Sequence, residues 1–193
     1  MVNYYDELPE GYKEEKTVDI NNSKTSIFIT VLSLFLLVIT IVPIIMIGGG
    51  ISNFRAYGFN SFLLLVLVIA YIFVHELLHG AVYKYLTHKK LKFGFNLLYA
   101  YCGVPNIYTS RKTALKATSA PFIIISLVVV PVLFYFSVYQ NYILFFTLGL
   151  FFSVHVSGCV GDLYIMYLLL FKYKDSRTLM NDTGPKMTIY IPE

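Results

Sequence analysis

His75, Glu76 and His79 stand in the stretch HELLHG, residues 75–80. Imidazoles four positions apart project from one face of a helix, one turn from each other, and can share a metal ion. The carboxylate beside them is offset, suited to a water on that metal and not to the metal itself. A metal so held acidifies its water, and a neighbouring carboxylate can take the proton and later deliver it to a leaving amine. These polar residues interrupt an apolar run, FLLLVLVIAYIFVHELLHGAVYKYL. Ionisable groups in such surroundings are costly and mark function.

The elements that must position them follow from composition. Of the 193 residues, 57% are hydrophobic and 13% charged, against about 25% charged in soluble domains. The natural solvent for such a chain is a lipid bilayer. Four stretches reach the length of about 20 mostly apolar residues that a spanning helix needs: 27–47, ended by Gly48-Gly49-Gly50, then 62–86, 117–139 and 143–171. The expected fold is an all-α polytopic membrane protein, one membrane-embedded domain over 1–193, with four transmembrane helices and a small cytosolic β-hairpin-like loop. The first stretch follows an acidic and lysine-bearing segment, not the short basic start of a signal peptide, so it reads as a retained span.

Lysine and arginine set the direction. Lys13, Lys16 and Lys24 precede the first span. Lys84, Lys89, Lys90, Lys92, Arg111, Lys112 and Lys116 lie around the connection after the second, and Lys172, Lys174, Arg177 and Lys186 follow the fourth. With four spans these regions share one side, and only Arg55 of the 15 basic residues falls on the other. The positive-inside rule makes that side cytosolic. The expectation is a multi-pass protein of the cell membrane with both termini in the cytosol, and the second and fourth spans parallel. The basic residues flank apolar runs, which argues against a nucleic-acid surface. Cys102 and Cys159 are far apart and make no disulfide framework.

Zinc requires a third protein ligand and an open position. Between Ile20 and Lys174 the acids are Glu76 and Asp162, both inside expected spans. A histidine at 85 would serve, but that residue is Tyr85; a downstream glutamate would serve, but after Glu76 there is only Glu193. Asp175 and Asp182 lie beyond the spans. Counted from the cytosolic ends of parallel helices, His75, His79 and Asp162 all lie roughly 10–17 Å deep. His155 shares a face with Asp162 but lies roughly 10 Å further out. Cys159 lies between them. His155 is a candidate for binding substrate or an oxyanion, or for a structural hydrogen bond. Cys159 reads as a small packing residue with ligation as the alternative. Gly158 and Gly161 allow close helix packing or a looser helix near the metal.

The spacing of His75, Glu76 and His79 is the HExxH arrangement of zinc peptidases. With an aspartate on a later parallel span, it resembles the site-2 protease class of intramembrane zinc metalloproteases. ELPEGYKEEKTVDI, FGFNLLYAYC, SAP and SGCVGDLY resemble, more closely, a bacterial family of small membrane proteins, the zincin peptidases. The resemblance implies Zn2+ as cofactor, His75, His79 and Asp162 as its ligands, and Glu76 as catalytic base and acid. The implied substrate is a membrane protein or peptide. One departure is that GCVGD replaces the asparagine-bearing pattern usual at the site-2 protease aspartate.

Residues 91–101 alternate, with Phe93, Phe95, Leu97, Tyr99 and Tyr101 on one face, as in a strand or an aromatic interfacial loop. CGVPN then reads as a turn and IYTS as a return strand. TSRKTALKATSAP reads as a short basic surface helix stopped near Pro121. In the tail, KMTIYI after the Gly184-Pro185 turn could add a strand. The reading is a zinc-dependent intramembrane endopeptidase. The rivals are a metal-binding or transport protein without proteolysis, and an inactive scaffold of the same fold. Oligomeric state is left open.

Overall fold

The computed structural model describes residues 2–95 and 100–193. The long helices begin where short polar side chains can accept the first free N–H groups. Helix α1 (Ser23–Ile47) is capped by Asn22, whose Oδ1 accepts from the backbone N–H of Lys24 and Thr25. Gly49, at φ 91°, supplies the left-handed turn after it. The short helix α2 (Gly50–Tyr57) precedes α3 (Ser61–Thr87), capped by Asn60. Helix α4 (Arg111–Val138) is capped by Ser110. The fourth apolar stretch forms two pieces, α5 (Tyr142–Gly158) and α6 (Val160–Tyr167), which runs on as a π-turn over Leu168–Lys172. Three helices are long and apolar enough to cross a membrane, or four if α5 and α6 count as one span.

The strands are β1 (Tyr4–Tyr5), β2 (Tyr12–Asp19), β3 (Lys92–Phe95), β4 (Ala100–Ser110), β5 (Leu179–Asp182) and β6 (Lys186–Pro192). They form an antiparallel sheet in the order β1-β4-β5-β6-β2, with β3 also paired to β4. The fold is therefore mostly helical with a small sheet, and the all-α expectation is corrected. The acidic and lysine-bearing N-terminal segment contributes a strand: β2 pairs with β6 from Tyr12↔Pro192 to Asp19↔Lys186. The tail strand expected at KMTIYI is present as β6.

Two local expectations are also corrected. CGVPN is part of β4 and not a turn. Its proline is accommodated by a register shift between Val104 and Thr109, and the Asn181 side chain donates to the carbonyls of Pro105 and Ile107 there. The basic segment is not a separate surface helix: α4 continues through Pro121 to Val138. In the alternating stretch, Phe93 and Phe95 fall in β3 and Tyr101 in β4, while Leu97 and Tyr99 lie outside the described residues.

The chain divides into two compact units, one of Met1–Phe28, Phe73–Pro121 and Gly161–Glu193, the other of Ile29–Ile72 and Phe122–Val160. The first holds the sheet, whose core joins Val18, Met180 and Ile189 to Ala114, Ile165 and Leu169 from the helices. The second contains one Lys, Arg, Asp or Glu, namely Arg55. Its helices carry apolar side chains outward, as at Val31, Leu34 and Val38 of α1. A surface of this kind is compatible with a bilayer.

Candidate metal centre

His75 and His79 lie on one face of α3, as their spacing requires, and Asp162 lies in the first turn of α6. All three are buried, at 8%, 6% and 6% exposure. The break after Gly158 starts a new helix just ahead of Asp162, so the carboxylate sits where free backbone N–H groups favour negative charge. His75 Nε2 is 3.1 Å from Asp162 Oδ2, His79 Nε2 is 3.2 Å from the same oxygen, and the two Nε2 atoms are 3.1 Å apart. The sequence-predicted ligand set is thus brought together as a near-equilateral triangle.

The chemistry of the three atoms fits a metal. His79 Nδ1 is 2.8 Å from the Ala117 carbonyl oxygen. A carbonyl only accepts, so Nδ1 carries the hydrogen and the neutral ring turns its Nε2 lone pair towards His75 and Asp162. One proton can satisfy one edge of such a triangle, whereas a cation facing all three corners satisfies them together. Zinc bonds of about 2.0 Å in a tetrahedron imply ligand–ligand edges of about 3.3 Å, close to the observed spacing.

Glu76 is half-buried on the same helix, with the backbone N–H of Cys102 on β4 as a donor towards it. Gly80 lets this strand pair approach. A Cβ at position 80 would lie 2.8 Å from Phe93 Cζ, 3.1 Å from Leu91 Cδ1 and 3.2 Å from Cys102 Sγ. Gly80→Val is therefore expected to push β3 and β4 away from α3 and to cost about 1–3 kcal/mol of stability. Denaturant unfolding of the purified variant checks this.

Beneath the triangle lie two residues that sequence reasoning passed over. Tyr83 is one further turn along the His75–His79 face of α3, which its spacing could have signalled. Its hydroxyl donates to Asp182 Oδ2 at 2.8 Å, and the Gly184 N–H donates to Oδ1 at 2.8 Å. Asp182, on β5, is 2% exposed. No local signal marks it, because its burial depends on the sheet. Burial pushes its pKa up to about 6, against the lowering effect of the Gly184 and Tyr83 hydrogen bonds. The folded state thus holds this proton more tightly than the unfolded chain, whose aspartate titrates near about 3.9. The resulting stabilisation is fully present below about pH 4 and is lost as pH rises through about 6. Between about pH 4 and 7 the wild type is expected to lose on the order of 2–3 kcal/mol relative to Asp182→Asn. Parallel unfolding curves of the two proteins across that range measure it.

His155 and Cys159 belong to the other unit. His155 is fully buried, its Nε2 3.2 Å from Ser126 Oγ and its ring stacked on Phe122 with centroids 5.9 Å apart. Cys159 Sγ lies 3.6 Å from His155 Nδ1 and 3.8 Å from the Tyr71 hydroxyl. Gly158 serves close packing, since a Cβ there would lie 2.7 Å from the Tyr71 hydroxyl oxygen; at Gly161 the space is open.

The model of the family described as "putative zincin peptidase" matches residues 68–177. That stretch covers more than half of the chain and contains His75, Glu76, His79 and Asp162. No curated protein and no solved structure matches the chain.

Proposed function

The chain belongs to this zincin peptidase family, and from that premise we propose that it is a zinc-dependent endopeptidase of the site-2 protease type, acting within a bilayer. The observation that carries the reading is the triangle of His75 Nε2, His79 Nε2 and Asp162 Oδ2, with edges of 3.1–3.2 Å. These three would hold Zn2+. When bound, zinc supplies an acidified water and polarises the carbonyl to be attacked. Glu76 takes a proton from that water at its carboxylate and returns it to the leaving amine. Its half-buried position allows both steps, and the Cys102 N–H orients it.

The apolar helices and the segregation of charge support a multi-pass protein of the cell membrane, with four spans and the site in the cytosolic half. Water then reaches Glu76 from the sheet side. Among the described residues β3 has one strand partner, β4, and its Phe93 and Phe95 are exposed. A strand edge of this kind next to Gly80 suits a substrate segment held extended by strand addition, which a membrane helix must become before its carbonyls can be attacked. The substrate class is a membrane-embedded or membrane-adjacent peptide.

The test is cleavage in proteoliposomes of a set of single-span peptides, read by mass spectrometry. Chelation is expected to abolish cleavage and stoichiometric zinc to restore it. Identical product maps with and without chelator would sink the proposal.

A further inference from the structure

Pro121 stands inside α4, ten residues after the helix begins and well before it ends at Val138. A proline within a helix has no N–H to give to the carbonyl four residues earlier, and the loss costs about 3 kcal/mol. Here that carbonyl is Ala117, and the helix does not end at the proline. The Ala117 oxygen instead accepts from His79 Nδ1 at 2.8 Å. Ala117 is fully buried, in a cluster with Tyr83, Val104 and Ile107, where an acceptor without a donor would be costly.

We infer that Pro121 is a positioning residue for the metal centre: by withholding its N–H it reserves the Ala117 carbonyl for His79 and so fixes the ring orientation and tautomer that present Nε2 to the metal. The inference rests on the zinc reading of the His75–His79–Asp162 triangle. Outer hydrogen bonds of this kind commonly involve a carboxylate or a backbone carbonyl; the new element is that a proline frees the carbonyl. Any other residue at 121 would bring an N–H able to close the ordinary helical bond to Ala117, so that the carbonyl's two lone pairs would be shared and the bond to His79 weakened.

The consequence has opposite signs in two measurements. Pro121→Ala restores a helical hydrogen bond, so the zinc-free protein is expected to keep or gain thermal stability. Zinc affinity is expected to fall by about tenfold, read by competition with a chromophoric chelator on the full-length detergent-purified chain. The 15N signals of histidine-labelled protein should show His79 losing its fixed Nδ1–H tautomer. Pro131→Ala is the control. The carbonyl it would re-pair is Leu127, an exposed residue, and zinc affinity should not change. Pro121→Gly also restores the N–H and carries the same expectation, so it stands in should the alanine variant not fold.

A zinc affinity within twofold of wild type in Pro121→Ala or Pro121→Gly, with the His79 tautomer unchanged, overturns the inference and leaves the zinc reading intact. A wild-type protein that binds no zinc overturns both.

Discussion

Replacing Glu76 by glutamine is expected to lower peptide hydrolysis by about 10²–10⁴-fold while leaving the metal in place. Glutamine keeps the length and shape of the side chain and can still accept from the Cys102 N–H. It cannot take a proton from water. Nothing in the triangle of His75, His79 and Asp162 involves the lost oxygen, so zinc content should match wild type. This variant separates a peptidase from its two rivals, because binding or carrying a metal requires no carboxylate beside the ligands. Hydrolysis that survives in Glu76→Gln would remove Glu76 from the chemistry. Lost hydrolysis together with lost zinc would make Glu76 part of metal binding instead.

Replacing Asp162 by alanine is expected to weaken zinc binding beyond the roughly 10–100-fold typical of losing an outer hydrogen-bond partner. The aspartate is the anionic corner of the triangle, 3.1 and 3.2 Å from the two imidazole nitrogens. Without it two neutral rings remain, and two ligands do not hold zinc in competition with a chelator. Asp162→Asn, which keeps one oxygen and removes the charge, should fall between alanine and wild type. Chelator competition on the three proteins gives the order. Full zinc retention in Asp162→Ala would transfer the third ligand to another residue.

Much of this site is legible in the sequence, for a physical reason. Histidines four apart on a helix share a face whatever surrounds them, so His75 and His79 needed no tertiary information. Asp162 was reached by counting acids, since an apolar stretch offers few candidates, and by depth along parallel helices. The helix starts were placed from apolar length alone, at 27, 62, 117 and 143, whereas Asn22, Asn60, Ser110 and Asn141 cap helices that begin at Ser23, Ser61, Arg111 and Tyr142. The sheet was largely hidden. Residues 12–19, YKEEKTVD, are mostly charged and look solvated, and they form a strand because β6 offers a complementary edge more than 160 residues later. Asp182 was hidden for the same reason, since its burial comes from that long-range pairing.

Pro105 and Pro121 misled in a consistent way. Each reads locally as a breaker, and each is tolerated because a distant group takes up what the proline disrupts. At Pro105 the Asn181 amide bonds the irregular strand carbonyls. At Pro121 the carbonyl left over is the one that His79 engages.

The central claim is that two imidazoles and one carboxylate hold a catalytic zinc with an open position. X-ray absorption at the zinc edge of the zinc-loaded wild-type protein tests it most directly. The account predicts a first shell of about four nitrogen and oxygen atoms at about 2.0–2.1 Å, two of them from imidazoles, and no sulfur. A sulfur scatterer at about 2.3 Å, or a shell without imidazole, would contradict it.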